Sequence, residues 1–194
     1  MRRTILSAGL GLALAGCALA QDTAGNDEAA ASPPPPPPPP CQSDAYHQFD
    51  FWVGDWRVTA PNGQFAGNNS ITREEGGCLL LETWTSAGGT TGQSYNYYNP
   101  DTEKWRQVWV SAGALIDYEG GLTESGSMKL VGTITYHGTP QTAPFTGEWT
   151  LNEDGTVTQH FEQYNAETET WAPWFTGTYT RQEAETEDAS SPPN

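Results

Sequence analysis

Basic residues are scarce in this chain. Its 194 residues include eight Lys and Arg against 24 Asp and Glu, which gives a formal net charge of −16 at pH 7. A surface of that sign repels phosphate backbones, and the sequence has no basic patch interleaved with aromatic residues. We therefore predict no nucleic-acid partner, and we interpret the acidic surface as a source of solubility.

Motifs of metal centres and of nucleophilic catalysis are also lacking. Gly92-Gln93-Ser94-Tyr95-Asn96 begins like a nucleophile elbow but has no closing glycine, and no glycine-rich phosphate loop occurs. The histidines form no H-E-x-x-H motif or other pair at ligand spacing, and no C-x-x-C motif occurs. These isolated histidines are His47, His137 and His160. We predict no metal and no cofactor, so an enzyme would have to use dispersed carboxylates such as Glu82, Asp117 and Glu119.

Helical periodicity is missing from the middle of the chain. No apolar period of 3.6 residues lasts for three turns, while Thr, Gly, Tyr and Trp dominate. All eight Trp lie between Trp52 and Trp174. Roughly 140 residues separate Cys41 from Arg181, which suffices for one domain with a single, aromatic core.

The densest apolar stretch is Phe49–Val58. From Trp52 onward every second residue is Trp, Gly, Trp and Val, which predicts a strand with one buried face. Gly54 lacks a side chain at a point where the strand would bend or another backbone would approach. We interpret this stretch as the first strand of a closed sheet.

Turn residues recur at short intervals between Cys41 and Arg181. Asn62-Gly63 and Asp154-Gly155 are typical of hairpin turns, and alternation between them is clear in Met128–Tyr136. The pattern predicts about nine or ten strands joined mostly by hairpins. Because a long meander hides its edges best by closing, we predict an all-β fold: a single antiparallel up-and-down β-barrel over residues 41–181.

The amino terminus is typical of an export signal over residues 1–20. Its apolar run is shorter than the ~20 residues that a spanning helix needs. Leu14-Ala15-Gly16-Cys17 matches a bacterial lipobox at all four positions, which predicts lipidation of Cys17. Ala18-Leu19-Ala20 is the alternative cleavage site. The first site predicts a periplasmic-side lipoprotein held at the membrane by its lipid anchor, and the second predicts a soluble periplasmic or secreted protein.

Two further segments are predicted to be disordered. Residues 21–40 are polar and Ala-rich and end in the eight prolines of Pro33–Pro40, which favour a stiff polyproline II rod of ~3.1 Å per residue. We interpret them as a tether that lifts the domain off the membrane. Residues 182–194 are an acidic tail without large apolar side chains.

Cysteine usage predicts one disulfide. With Cys17 lipidated or removed, Cys41 and Cys78 remain, and an exported protein meets oxidants. A catalytic thiol would need a nearby base or a helix amino terminus, and the sequence suggests neither. We therefore predict a structural Cys41–Cys78 bond.

Polar side chains occupy positions on strand faces that are otherwise apolar. Glu82, Gln107 and Gln159 each lie between two apolar residues in strand alternation. A buried polar group without a partner costs ~1–3 kcal/mol, and in a barrel the partner can be water or a ligand. The alternatives are a polar lining satisfied by its own neighbours, or strand faces assigned in reverse. With the aromatic residues added, the predicted ligand-binding set is Glu82, Trp84, Tyr97, Trp105, Gln107, Trp109, Trp149, Gln159 and Phe161.

The opening stretch Phe-Asp-Phe-Trp-Val-Gly-Asp-Trp, residues 49–56, resembles that of a family of bacterial secreted, lipocalin-like domains of unknown function. Further matching segments follow in the family's order at Ile71–Glu74, Tyr97–Pro100, Lys104–Trp109 and Tyr179–Arg181. The resemblance implies a calycin-type barrel over nearly all of residues 41–181, and it implies no particular activity.

Gly54 and Trp56 also resemble the G-x-W motif of lipocalins, in which a late arginine lies over the tryptophan. Arg181 is the matching residue, and the resemblance implies a structural cation–π contact of ~0.5–2 kcal/mol that closes one end of the barrel. Related haem-binding barrels use a late histidine, and His160 is the residue that compares with it.

Together these observations predict a binding module. We expect an exported, lipid-anchored, lipocalin-like protein whose barrel holds a small apolar or aromatic ligand. One alternative is an envelope enzyme, in which Glu82 or His160 would lie within hydrogen-bond reach of another titratable group in a pocket. The other is a filled barrel that meets a partner through its outer aromatic residues.

Overall fold

The computed structural model describes residues 37, 39–139 and 141–182. The predicted signal peptide with Cys17, most of the predicted tether and nearly all of the predicted tail lie outside the described residues. Within the described part, no helix has the length and apolar character needed to cross a membrane.

Ten antiparallel strands form one closed barrel, in which each strand pairs with its sequence neighbours and the first pairs with the last. The predicted all-β, up-and-down barrel is therefore confirmed. Closure leaves no free strand edge. The strands are β1 (Gly54–Thr59), β2 (Phe65–Glu74), β3 (Leu79–Ser86), β4 (Thr91–Asn99), β5 (Lys104–Ser111), β6 (Ala114–Leu122), β7 (Met128–Tyr136), β8 (Thr142–Leu151), β9 (Val157–Asn165) and β10 (Thr170–Arg181).

Alternation of side chains places the core inside the barrel. In β7, Met128, Leu130 and Ile134 are buried, while Lys129 and Val131 between them are exposed. Because successive strand residues point to opposite faces, one period-2 pattern fills the interior and leaves the outer face polar or half-exposed.

Two short 3-10 turns, Asp44–His47 and Asp50–Trp52, precede β1. The prediction of a strand from Trp52 is wrong, because the backbone N–H of Trp52 bonds to the carbonyl of Phe49 in a turn and β1 begins only at Gly54. The turn directs Phe49 and Trp52 into the barrel, where their stacked rings lie against the indole of Trp149.

The sequence predicts a bend or a close backbone at Gly54, and in the structure the close neighbour is the side chain of Arg181. The φ of Gly54 is 137°, and a Cβ there would overlap Nη1 of Arg181. The Arg181 guanidinium carbon lies 4.3 Å from the ring centroid of Trp56, and Nη1 donates to the carbonyl of Val53 at 2.9 Å. The structure therefore contains the contact over Trp56 that the resemblance implies.

The disulfide between Cys41 and Cys78 is present, with Cα atoms 5.1 Å apart. It joins the segment before the first 3-10 turn to the residue before β3. The predicted bond is confirmed, and it ties the segment that carries Phe49 to the barrel wall.

Candidate functional site

A cavity of about 170 Å³ lies inside the barrel. An apolar cavity of ~150 Å³ is known to hold benzene, so this space is of the size that a single aromatic ring needs. Six of the nine sequence-predicted residues line it: Glu82, Trp84, Gln107, Trp109, Gln159 and Phe161. Five residues that the sequence analysis did not select complete the lining: Ile116, Tyr118, Trp174, Phe175 and Tyr179.

The other three predicted residues lie elsewhere. Tyr97 follows the buried Asn96 in β4, so its side chain points to the outer face of the barrel. Trp105 and Trp149 point inward, but their rings pack around Phe49 in the solid part of the core. None of the three lines the cavity.

The predicted titratable alternatives also lie on the outer face. The His160 ring has Nδ1 2.7 Å from Oγ1 of Thr176 and Nε2 3.8 Å from a carboxylate oxygen of Glu162. Asp117 pairs with Arg106 and Glu119 with Lys104 in ion pairs whose side chains are well exposed. Of the dispersed groups considered, Glu82 is therefore the one in the cavity.

A β-bulge brings two consecutive aromatic residues to the cavity. The register of β10 with β9 shifts between Pro173 and Phe175, which leaves Trp174 as the extra residue. Bulges redirect a side chain and break the alternation of faces, so Trp174 and Phe175 both line the cavity although they are adjacent in sequence. Trp174 is 46% exposed, and it therefore links the cavity wall to the protein surface.

Two inward-facing glycines make room for the two indoles of the cavity wall. A Cβ at Gly92 would overlap the indole of Trp109, and a Cβ at Gly67 would stand 2.6 Å from Cη2 of Trp84. Each indole thus occupies the space that a neighbouring side chain would otherwise fill. Without these glycines, the rings would have to move toward the centre of the cavity.

A directed chain of hydrogen bonds runs along one side of the barrel interior. The Tyr118 hydroxyl donates to Oε1 of Gln107, and Nε2 of Gln107 donates to Oδ1 of Asn96. Nδ2 of Asn96 donates to Oγ of Ser94 at 2.8 Å, and Ser94 donates to Oε2 of Glu82 at 2.5 Å. Every donor in this chain points toward the Glu82 carboxylate.

A second branch reaches the other oxygen of the same carboxylate. Nδ2 of Asn69 lies 2.7 Å from Oε1 of Glu82 and 3.4 Å from the hydroxyl of Tyr179. Tyr179 in turn donates to Oε1 of Gln159. The three polar residues selected from the sequence, Glu82, Gln107 and Gln159, therefore belong to one network that is satisfied in part by neighbouring side chains.

Burial governs the ionisation of this network. Glu82 is 4% exposed, and burial raises its pKa from 4.5 to about 7, against the hydrogen bonds from Ser94 and Asn69, which lower it. Burial, followed by the negative charge of Glu82, raises the pKa values of Tyr118 and Tyr179 well above their usual value. The two phenols are therefore neutral donors at physiological pH.

Glu82 has no cationic partner in the described part of the chain. Each Lys or Arg found there is placed against another group, either an aromatic ring or a carboxylate. These residues are Arg57, Arg73, Lys104, Arg106, Lys129 and Arg181. Among the described side chains, the amide of Asn69 and the hydroxyl of Ser94 are the hydrogen-bond donors to the buried carboxylate.

The described residues contain no group of three or more His, Cys, Asp or Glu that could hold a metal ion. No family model matches the chain, and no curated protein matches it in sequence. The ten-strand, up-and-down barrel fits a lipocalin-like or calycin-like fold. Membership of the family that the opening stretch resembles stays a prediction.

Proposed function

We propose that this protein is an exported, lipid-anchored, lipocalin-like binding protein whose cavity holds a small apolar or aromatic ligand. The observation that carries the proposal is the cavity itself, a space of about 170 Å³ lined by aromatic side chains and a few polar groups. Small-molecule sites have this composition, since apolar surface supplies affinity and a few polar groups fix orientation. The aromatic wall consists of Trp84, Trp109, Phe161, Trp174 and Phe175.

The two alternatives have less support. An enzyme would need Glu82 or His160 within hydrogen-bond reach of another titratable group in the pocket, but Glu82 bonds to Asn69 and Ser94, and His160 faces outward. A filled barrel would leave no interior space for a ligand, whereas this one encloses a cavity. Binding in the cavity is therefore the function that we propose.

Isothermal titration of the mature protein with toluene tests the binding function, because toluene has one ring and no charge. We expect saturable binding that Trp109→Ala weakens, since the variant removes one wall of the cavity. Trp171→Ala is the matched control, because Trp171 lies in β10 but does not line the cavity. Absence of binding of toluene and of every other one-ring probe to the wild-type protein contradicts the proposal.

Export and anchoring rest on the lipobox and need a separate test. Mass spectrometry of protein taken from its own host envelope should show an acylated amino terminus at Cys17, and Cys17→Ala should abolish the acylation. A mature protein that begins at Gln21 without lipid would contradict the anchor and support the soluble alternative.

A further inference from the structure

We infer that the ligand is a small organic cation, an amine attached to one aromatic ring, whose ammonium group pairs with the Glu82 carboxylate inside the barrel. This inference rests on the proposed binding function and specifies the chemistry of the ligand.

The Glu82 carboxylate lacks a counter-charge among the described residues. Glu82 lines the cavity, and none of the described Lys and Arg residues reaches it. Buried charges in proteins are normally paired, because an isolated ion in a low-dielectric interior is costly. A cation delivered by the ligand would complete the pair.

The hydrogen bonds around the carboxylate also favour a cationic partner. Two donors point at Glu82, the hydroxyl of Ser94 at Oε2 and Nδ2 of Asn69 at Oε1, while beyond Asn69 the second branch runs on to Tyr179 and Gln159. The network therefore favours the ionised acceptor. A carboxylate has about four lone-pair sites, of which these bonds use two. An ammonium group has three donors and no acceptor. It can therefore donate to the lone-pair sites of Glu82 that these two bonds leave free.

The aromatic part of the cavity lining also favours a cation. Aromatic faces attract cations, most strongly those of Trp, and a set of such rings around one site is a known means of recognising ammonium ligands. Three indoles line this cavity, those of Trp84, Trp109 and Trp174. An uncharged ring would use only their apolar surface, whereas an aromatic amine would also use their negative faces.

The remaining groups that face Glu82 carry no positive charge, so none of them neutralises the carboxylate. Tyr118 on β6 and Tyr179 on β10 are buried and neutral, because burial raises the pKa of each phenol. Gln107 and Gln159 are uncharged neighbours in the same lining. Glu82 is thus the group of the lining that changes charge near neutral pH, since its pKa lies at about 7.

The test compares three probes of one size on the mature protein: phenethylamine, which is cationic, 2-phenylethanol, which is neutral, and phenylacetate, which is anionic. At pH 8.5 we expect phenethylamine to bind at least about tenfold more tightly than 2-phenylethanol, as a charged hydrogen bond implies. Because Glu82 gains a proton below its pKa, this ratio should fall toward one at pH 5.5, where the amine itself is still charged.

Glu82→Gln keeps the size of the side chain and removes its charge, so it should bring the ratio close to one at pH 8.5. Glu148→Gln is the matched control, since Glu148 pairs with Lys129 on the outer face and should keep the wild-type ratio. The pH profile of the wild-type protein gives the same information if Glu82→Gln does not fold.

The outcomes separate this inference from the function on which it rests. Equal affinities for amine and alcohol, or tightest binding of phenylacetate, would overturn the cationic ligand and leave the binding function standing. Failure of all three probes and of toluene to bind would overturn the binding function, and this inference with it.

Discussion

Nδ2 of Asn69 and Oε1 of Glu82 lie 2.7 Å apart inside the barrel, so a neutral amide is the donor to a buried carboxyl group. Ser94 supplies the only other side-chain hydrogen bond to Glu82 among the described residues. Neutral donors offset the cost of burying a negative charge only in part. Burial consequently outweighs them and raises the pKa of Glu82 to about 7.

This raised pKa predicts that the protein loses stability as the pH rises. The folded state holds the Glu82 proton up to about pH 7, whereas an exposed glutamate releases it near 4.5. The folded state therefore binds more protons in this window, and the free energy of unfolding falls by roughly 3 kcal/mol between pH 4 and pH 8 through this group. Urea unfolding of Glu82→Gln should lack this decrease. The free energy of unfolding of the variant should therefore increase relative to that of the wild type as the pH rises.

Glu148→Gln is the control for that series, because its exposed ion pair contributes little. Parallel curves for wild type and Glu82→Gln across the pH range would contradict the assignment of a near-neutral pKa to Glu82.

Gly92→Ala is predicted to shrink the cavity. The added Cβ would overlap the indole of Trp109, which must then move inward or distort the wall. We expect a loss of stability of about 1–3 kcal/mol, as overpacking usually costs, together with weaker toluene binding. Gly121→Ala is the matched control in β6, since a Cβ there meets nothing within 4 Å. If Gly92→Ala bound toluene as tightly as the wild type does, the position of the Trp109 indole would not depend on the space at Gly92.

The barrel and much of its interior could be predicted because period-2 alternation carries the information. Glu82, Gln107 and Gln159 occupy inward positions that this rule identifies, and all three line the cavity. Tyr118 and Tyr179 follow the same alternation, so this rule also identifies them as inward-facing residues. Tyr97 does not line the cavity. The buried residues of β4 are Gly92, Ser94 and Asn96, so Tyr97 is in the opposite phase of the alternation and faces outward.

Other features depend on contacts that no local pattern encodes. The bulge at Trp174 changes the phase of β10, and Pro173 in a strand was the available hint. The hydrogen-bond chain to Glu82 joins residues on four adjacent strands, β6, β5, β4 and β3, so it depends on the register in which these strands pair. Which aromatic residues leave a space and which fill the core depends on packing around Phe49.

The disulfide is predicted to stabilise the domain substantially. Cys41 and Cys78 are 37 residues apart, and in the chain-entropy model a loop of that length contributes about 4 kcal/mol. Cys41→Ser with Cys78→Ser should lower the urea midpoint accordingly, and dithiothreitol should have the same effect on the wild type. Mass spectrometry that finds two free thiols in the mature protein would contradict the bond.

Arg181 and Gly54 are predicted to be energetically coupled. Arg181→Ala removes a cation–π contact with Trp56 and a hydrogen bond to the carbonyl of Val53, and we expect a loss of about 1–2 kcal/mol. Arg57→Ala is the matched control. Its guanidinium lies 4.2 Å from the Phe65 ring on the outer face, so its loss should cost less.

A double-mutant cycle separates this coupling from the backbone strain at Gly54. Gly54→Ala places a methyl group where the Arg181 guanidinium lies, in addition to a φ of 137° that disfavours alanine. In the Arg181→Ala background the overlap is gone and the strain remains, so Gly54→Ala should cost less there than in the wild type, by about 0.5–3 kcal/mol. Strictly additive free energies of unfolding would show that the glycine is required by its backbone conformation alone, and not by the position of the Arg181 guanidinium.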